Sequence, residues 1–133
     1  MQPDYKLEFK RWFAQAQRDA DDANILKNNA RYNVACFLYQ QAAEKAVKAY
    51  LYLQGIEEVW GHSVAELCKK AKKHGKGFDA FVKEGYLLDK FYIPTRYPNG
   101  LPGGIPSEAF QEKDAAEASR ACSGIIKFVR KKI

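Results

Sequence analysis

Tyr39-Gln40-Gln41-Ala42-Ala43-Glu44-Lys45-Ala46-Val47-Lys48-Ala49-Tyr50-Leu51 lies at the centre of the most regular apolar pattern in the chain. Extended outward to about Arg31 and Gln54, the pattern puts Ala35, Leu38, Tyr39, Ala42, Ala46, Ala49, Tyr50 and Leu53 on one continuous seam at helical spacing. The many alanines favour helix and let a second helix approach closely. Gly55 follows as a C-terminal stop.

Working outward, helical spacing recurs almost everywhere, and no segment sustains the period-two alternation of a strand. A first helix is expected from Asp4 to about Asn24, with Tyr5, Phe9, Trp12, Phe13, Ala16, Ala20 and Ala23 on its stripe and a turn at Asn28-Asn29. Ser63-Val64-Ala65-Glu66 has capping-box spacing, which starts a third helix that runs to His74 before Gly75 and Gly77. A fourth is expected from Phe78 to Tyr92 and a fifth from Glu112 to Lys131. Between those two lies an irregular segment, 93–106, holding four of the five prolines. Each proline removes an amide donor, so no helix continues through it. Loops of this length in a small domain are usually functional or disordered, and Tyr97, Leu101 and Ile105 are expected to pack it onto the bundle. The predicted fold is all-α: an up-and-down bundle of about five helices with one long Pro/Gly-rich loop before the last.

The chain has 133 residues, 47% of them hydrophobic and 14% aromatic. That composition excludes a disordered protein, and the length suits one domain, taken as residues 1–133. No apolar run reaches the roughly 20 residues needed to cross a bilayer. The beginning Met1-Gln2-Pro3-Asp4 lacks the basic-then-apolar layout of a signal peptide. The expectation is a soluble cytoplasmic protein. Cys36, Cys68 and Cys122 are odd in number and far apart, and they read as reduced structural thiols. Only His62 and His74 could join them around a metal, so no metal site and no cofactor are expected. The formal charge of +6 is uneven: residues 1–66 carry 8 basic and 9 acidic side chains, residues 67–133 carry 14 and 7. Such asymmetry points toward an anionic partner.

The quoted helix, followed by Gly55 and Gly61-His62-Ser63-Val64, resembles the signature of the HEPN family (higher eukaryotes and prokaryotes nucleotide-binding). Leu88-Asp89-Lys90-Phe91-Tyr92-Ile93-Pro94-Thr95-Arg96-Tyr97-Pro98-Asn99 resembles the second block of that family, and the alanine-rich last helix is similar as well. The resemblance implies a helical bundle, often a homodimer, encoded beside a small nucleotidyltransferase with which it associates. It implies a module that binds a nucleotide, or the substrate of that partner, in an arrangement like a toxin–antitoxin pair. Another branch consists of metal-independent ribonucleases, marked by an Arg followed at short spacing by a His. Here Arg11, Arg18, Arg31, Arg96, Arg120 and Arg130 have no such histidine after them, and both histidines precede Arg96. No catalytic residue is therefore assigned. A distant His62 would have to replace the missing histidine in space.

The candidate nucleotide-binding set is Tyr92, Thr95, Arg96, Tyr97, Asn99 and His62. A guanidinium forks onto phosphate with two hydrogen bonds, tyrosines stack on bases, and an amide reads a base edge. The competing reading is local: Arg96 caps a helix end, and Pro98-Asn99-Gly100 is ordinary turn chemistry. Gln40, Gln41, Lys45 and Lys48 form a strip that faces a ligand or second subunit, or else a solvated face on which Glu44 and Lys48 pair at i,i+4. Lys69, Lys70, Lys72, Lys73 and Lys76, with Lys127, Arg130, Lys131 and Lys132, either suit helix C-termini or converge into a patch that tracks RNA phosphates. Three functions stay open: a nucleotide- or substrate-binding module, an RNA-binding or RNA-cleaving protein, and a bundle that only dimerises or docks a partner.

Overall fold

Residues 4–133 are described by the structure, a computed structural model. Six α-helices follow in order: α1 Tyr5–Asn28, α2 Tyr32–Leu53, α3 Val64–Ala71, α4 Val82–Asp89, α5 Pro106–Ala109 and α6 Glu112–Arg130. No strand occurs among the described residues, and the fold is the expected all-α bundle.

The arrangement follows from α2. Its predicted seam is inside, but so are Ala43, Glu44, Val47, Lys48 and Leu51 on its other sides. A helix buried nearly all round is the centre of its bundle, and α1, α6 and the α3–α4 pair surround it. Ala35, Ala42, Ala43, Ala46 and Ala49 are fully buried, so the neighbouring helices approach without large side chains between them. Larger groups fill the rest of the core: Phe9, Phe13, Tyr39, Leu51, Leu67, Phe78, Leu88 and Ile125. Truncating one of the aliphatic ones to alanine typically costs about 2–5 kcal/mol, transfer and cavity together.

Several boundaries differ from the sequence expectation for identifiable reasons. Helix α1 starts as expected, with the Asp4 carboxylate accepting the Leu7 amide at 3.0 Å. It continues a turn past Asn24, ending where Asn29 donates its side-chain amide to the Ile25 carbonyl and Ala30 takes a φ of 61°. Helix α3 stops at Ala71 rather than His74. The expected fourth helix divides into a 3-10 turn, Phe78–Phe81, and the shorter α4. It ends at Asp89, because Lys90, Phe91 and Tyr92 donate to carbonyls three residues back. The 93–106 segment is less irregular than expected: Pro98–Gly100 is a 3-10 turn, and Pro106 opens α5. Proline at a first helical position loses no bond, and the Glu108 carboxylate accepts the Ile105 amide at 3.3 Å. The anchors of this segment also differ. Tyr97 and Ile105 are about half exposed, while Thr95 and Pro106 are the buried ones.

Candidate functional site

The residues of interest come from three places: one face of α2, the turn leading into α3, and the turn leaving α4. The turn into α3 is shaped by Gly61, whose φ of 99° suits glycine, and by Ser63, whose hydroxyl caps the Glu66 amide at 3.1 Å. Asp89, at the end of α4, accepts the Val64 amide at 2.7 Å and the Ser63 hydroxyl. His62 is thereby held at the junction of α3 and α4. From α2, Gln40 Nε2 donates to the His62 carbonyl at 2.8 Å and fixes the same turn from the other side.

The His62 ring stacks on Tyr92, with centroids 5.0 Å apart and planes 17° apart. Its Nδ1 faces both carboxylate oxygens of Glu44 at 3.3 Å. Glu44 is only 4% exposed. Four side chains converge on it: His62, Lys48 Nζ at 3.1 Å, and the amide nitrogens of Gln40 and Gln41, each at 3.4 Å. Gln41 also donates to Gln40 Oε1 at 2.8 Å. The desolvation of a buried ion pair is offset only when its remaining hydrogen-bonding capacity is satisfied; the network does that for the carboxylate, while Lys48 Nζ lies 5.9 Å from the centre of the Trp12 ring.

Arg96 joins the cluster through Tyr92. Its guanidinium carbon is 4.2 Å from the Phe37 ring centroid, 4.8 Å from Tyr92 and 5.4 Å from Tyr97. Its Nε donates to the Tyr92 carbonyl at 2.9 Å, and the residue is exposed. Among the described residues no carboxylate pairs with it. A planar guanidinium laid on aromatic faces, with its terminal nitrogens uncommitted to a carboxylate, is arranged to receive an anion.

The sequence-predicted residues divide accordingly. Tyr92, Arg96 and His62 come together although His62 is distant in sequence. Tyr97 borders them, and Asn99 is exposed on the adjoining 3-10 turn, which folds against Pro94. Thr95 is turned inward: it is 1% exposed, its hydroxyl donates to the Phe91 carbonyl, and its own carbonyl accepts Asn33 Nδ2 at 3.1 Å. The solvated-face alternative for the α2 strip is corrected: Gln40 and Lys48 are buried and face the carboxylate of Glu44 rather than solvent, and half-buried Gln41 joins the same network. Lys45 pairs instead with Asp19 of α1, which Gln15 also holds at 2.7 Å. The Glu44–Lys48 pair expected on a solvated face is inside the molecule, because its polar atoms satisfy one another. Phe37 and Glu44 were missed as site residues. The signal for Glu44 was a charged pair, Glu44-Lys45, set between alanines on the helix that carries the longest apolar seam.

The lysine clusters meet at one point, where Lys132 Nζ donates to the Lys76 carbonyl at 2.8 Å. Lys69 is engaged by Glu66 at 3.2 Å and the Tyr86 hydroxyl at 2.6 Å, whereas Lys70, Lys72, Lys73 and Lys76 are exposed. A separate cleft of about 380 Å³ opens between α1 and α6, lined by Gln17, Asn24, Tyr39, Ser119, Lys127 and Arg130 among others. It shares no residue with the His62–Arg96 cluster. No group of three or more metal-ligating side chains occurs among the described residues, and no helix among them is long and apolar enough to cross a membrane.

Comparison with known proteins agrees with this architecture. The HEPN domain model matches residues 9–132. The crystal structure of TT1696 from Thermus thermophilus is similar with a TM-score of 0.89 at 33% identity, over 94% of this chain and 98% of that one. An archaeal HEPN homologue, ST0689, gives 0.77 at 37% identity, over 93% and 96%. The candidate toxin MJ1304 of Methanocaldococcus jannaschii is 27% identical over 131 residues, spanning 91% of this chain and 85% of that protein.

Proposed function

This chain belongs to the HEPN family, and from that premise we propose that it is a non-catalytic nucleotide-binding module that works with a small nucleotidyltransferase. The observation that carries the reading is Arg96, stacked on Phe37 and Tyr92 with no carboxylate partner among the described residues. Its terminal nitrogens take a phosphate in bidentate fashion, while the exposed faces of Tyr97 and His62 offer stacking area to a base. Likeness to a candidate toxin supports a paired arrangement in which this chain and the nucleotidyltransferase act as toxin and antitoxin. The exposed Ile93 and Tyr97 of the turn that carries Arg96, and exposed Trp60 two positions before His62, supply apolar surface for that partner, or for a second copy in a homodimer.

Calorimetry tests the reading directly. ATP is expected to bind the wild type, and Arg96→Ala to weaken binding about tenfold or more, as for loss of a charge-assisted pair. No heat with any nucleoside triphosphate, with and without the nucleotidyltransferase, would end it.

A second reading has one specific observation in its favour. His62 and Arg96 both pack on the Tyr92 ring, so a histidine and an arginine that the order of the sequence keeps apart share one aromatic neighbour. That arrangement suits an RNA-binding or RNA-cleaving protein, with exposed Lys70, Lys72, Lys73 and Lys76 adding salt-dependent attraction. Labelled RNA incubated at low salt separates the two: cleavage lost in both His62→Ala and Arg96→Ala supports this second reading.

A further inference from the structure

We propose that Glu44 is a positioning residue that holds His62 in one tautomer, and that His62 so held makes the site prefer ribonucleotides over deoxyribonucleotides. The preference rests on the nucleotide reading above; the tautomer does not.

The argument begins with what faces His62 Nδ1. Both oxygens of Glu44 lie 3.3 Å from it, and Glu44 is ion-paired with Lys48 at 3.1 Å. An ionised carboxylate only accepts hydrogen bonds, so the nitrogen facing it carries the proton. In the neutral imidazole the lone pair is then left on Nε2. No other group competes for the assignment. The Gln40 amide is engaged with the His62 carbonyl and Glu44, Asp89 is engaged with Ser63, Val64 and Ala65, and Lys48 points at Glu44.

Nε2 is separated from Nδ1 by one ring carbon and its lone pair points away from the Nδ1–Glu44 contact, and the side chain is 59% exposed. The open edge of the cluster therefore offers two unlike features beside one aromatic ring: a hydrogen-bond acceptor at His62 and a cation at Arg96. Neutral Nε2 repels phosphate oxygens, which leaves the phosphate to Arg96. What complements Nε2 is an O–H donor. A ribose phosphate carries both features a few bonds apart, and a 2′-deoxyribose phosphate lacks one of its hydroxyls. A site built to hydrogen-bond a hydroxyl discriminates against the analogue lacking it.

Two measurements test this. The chain contains only two histidines, so a two-bond ¹H–¹⁵N correlation spectrum at alkaline pH resolves the tautomer of each. His62 is expected to be protonated on Nδ1 in the wild type, and to shift toward the Nε2–H form in the double variant Glu44→Leu, Lys48→Met. That variant replaces a buried pair by apolar side chains of similar size, a change that folded proteins tolerate. Calorimetry with ATP and 2′-deoxy-ATP is expected to show an about fivefold preference for ATP, the effect of one partly exposed hydrogen bond. The preference should vanish in the double variant and in His62→Phe, which keeps the stack on Tyr92 without an acceptor. Protonation of His62 on Nε2 in the wild type overturns the positioning role. Nδ1 protonation with equal affinity for both nucleotides overturns the selection alone and leaves the nucleotide reading in place. Binding of neither nucleotide overturns that reading and the selection together, while the tautomer result still decides the role of Glu44.

Discussion

Asp89 Oδ1 accepts the backbone amide of Val64 at 2.7 Å, so the last residue of α4 completes the first turn of α3. The same carboxylate takes the hydroxyl of Ser63, one residue from His62. A single acidic side chain thus joins two short helices, of eight residues each, and sets the turn on which the histidine sits. Asp89→Ala leaves two amides and a hydroxyl without their acceptor, and is expected to destabilise the protein by about 2 kcal/mol. Urea unfolding checks this. The His62 resonances should shift in the same variant, since the turn loses its tie to α4.

The crossing of α3 and α4 depends on a missing side chain. A Cβ at Gly85 would stand 2.5 Å from the Ala65 nitrogen and 2.7 Å from its Cα. Backbone cannot yield as a flexible side chain does. Alanine at an ordinary helical position gains about 1 kcal/mol over glycine, but forcing these helices apart costs about 1–3 kcal/mol. Gly85→Ala is therefore expected to lower the urea midpoint. A raised midpoint would mean that the two helices separate freely.

Burial pushes the thiols of Cys36, Cys68 and Cys122 up to about 12 from an ordinary 9.0, with Asp114, Asp89 and Asp19 respectively adding to the effect. Burial also raises the phenols of Tyr39 and Tyr50. Above pH 9 the unfolded thiols release protons that the folded thiols keep, so the unfolded state binds fewer protons and stability falls as pH rises toward 12. The urea midpoint is expected to be lower at pH 10 than at pH 8, with a smaller drop in Cys122→Ala. At pH 8 a thiol reagent should leave the native protein unmodified and titrate three thiols after unfolding.

Lysine at position 96 would keep the charge and lose the plane. Arg96 lies on Phe37 and Tyr92 through its flat guanidinium, and only that group offers a fork to phosphate. Arg96→Lys is expected to recover little of the nucleotide affinity lost in Arg96→Ala, by calorimetry. Full recovery would reduce the role of Arg96 to that of a point charge.

Helix α2 was legible in the sequence because its seam repeats for six turns without a glycine or proline. Tyr92, Arg96 and Tyr97 were legible as members of one candidate set because they lie within six consecutive positions. Phe37 was not, since it meets them only once the chain has folded back across 59 positions. Glu44 and Lys48 read as a surface pair because periodicity sorts residues by polarity. It does not register that two glutamines and a histidine close over the carboxylate. Helix α5 was hidden for a related reason: Pro106 and Glu108 are helix-start signals, but a segment crowded with prolines and glycines obscured them.

The turn that carries Arg96 is held on both sides. Asn33 reaches the Thr95 carbonyl, the Thr95 hydroxyl is tied to Phe91, and the Arg96 amide and Nε are bonded to Ile93 and Tyr92. A free arginine side chain has some of the largest rotameric freedom to lose on meeting a ligand. Here much of that freedom is gone before any ligand arrives. Association at this surface then requires little rearrangement of the protein, and its rate should follow encounter, with the excess positive charge of the chain accelerating the approach of anions at low salt.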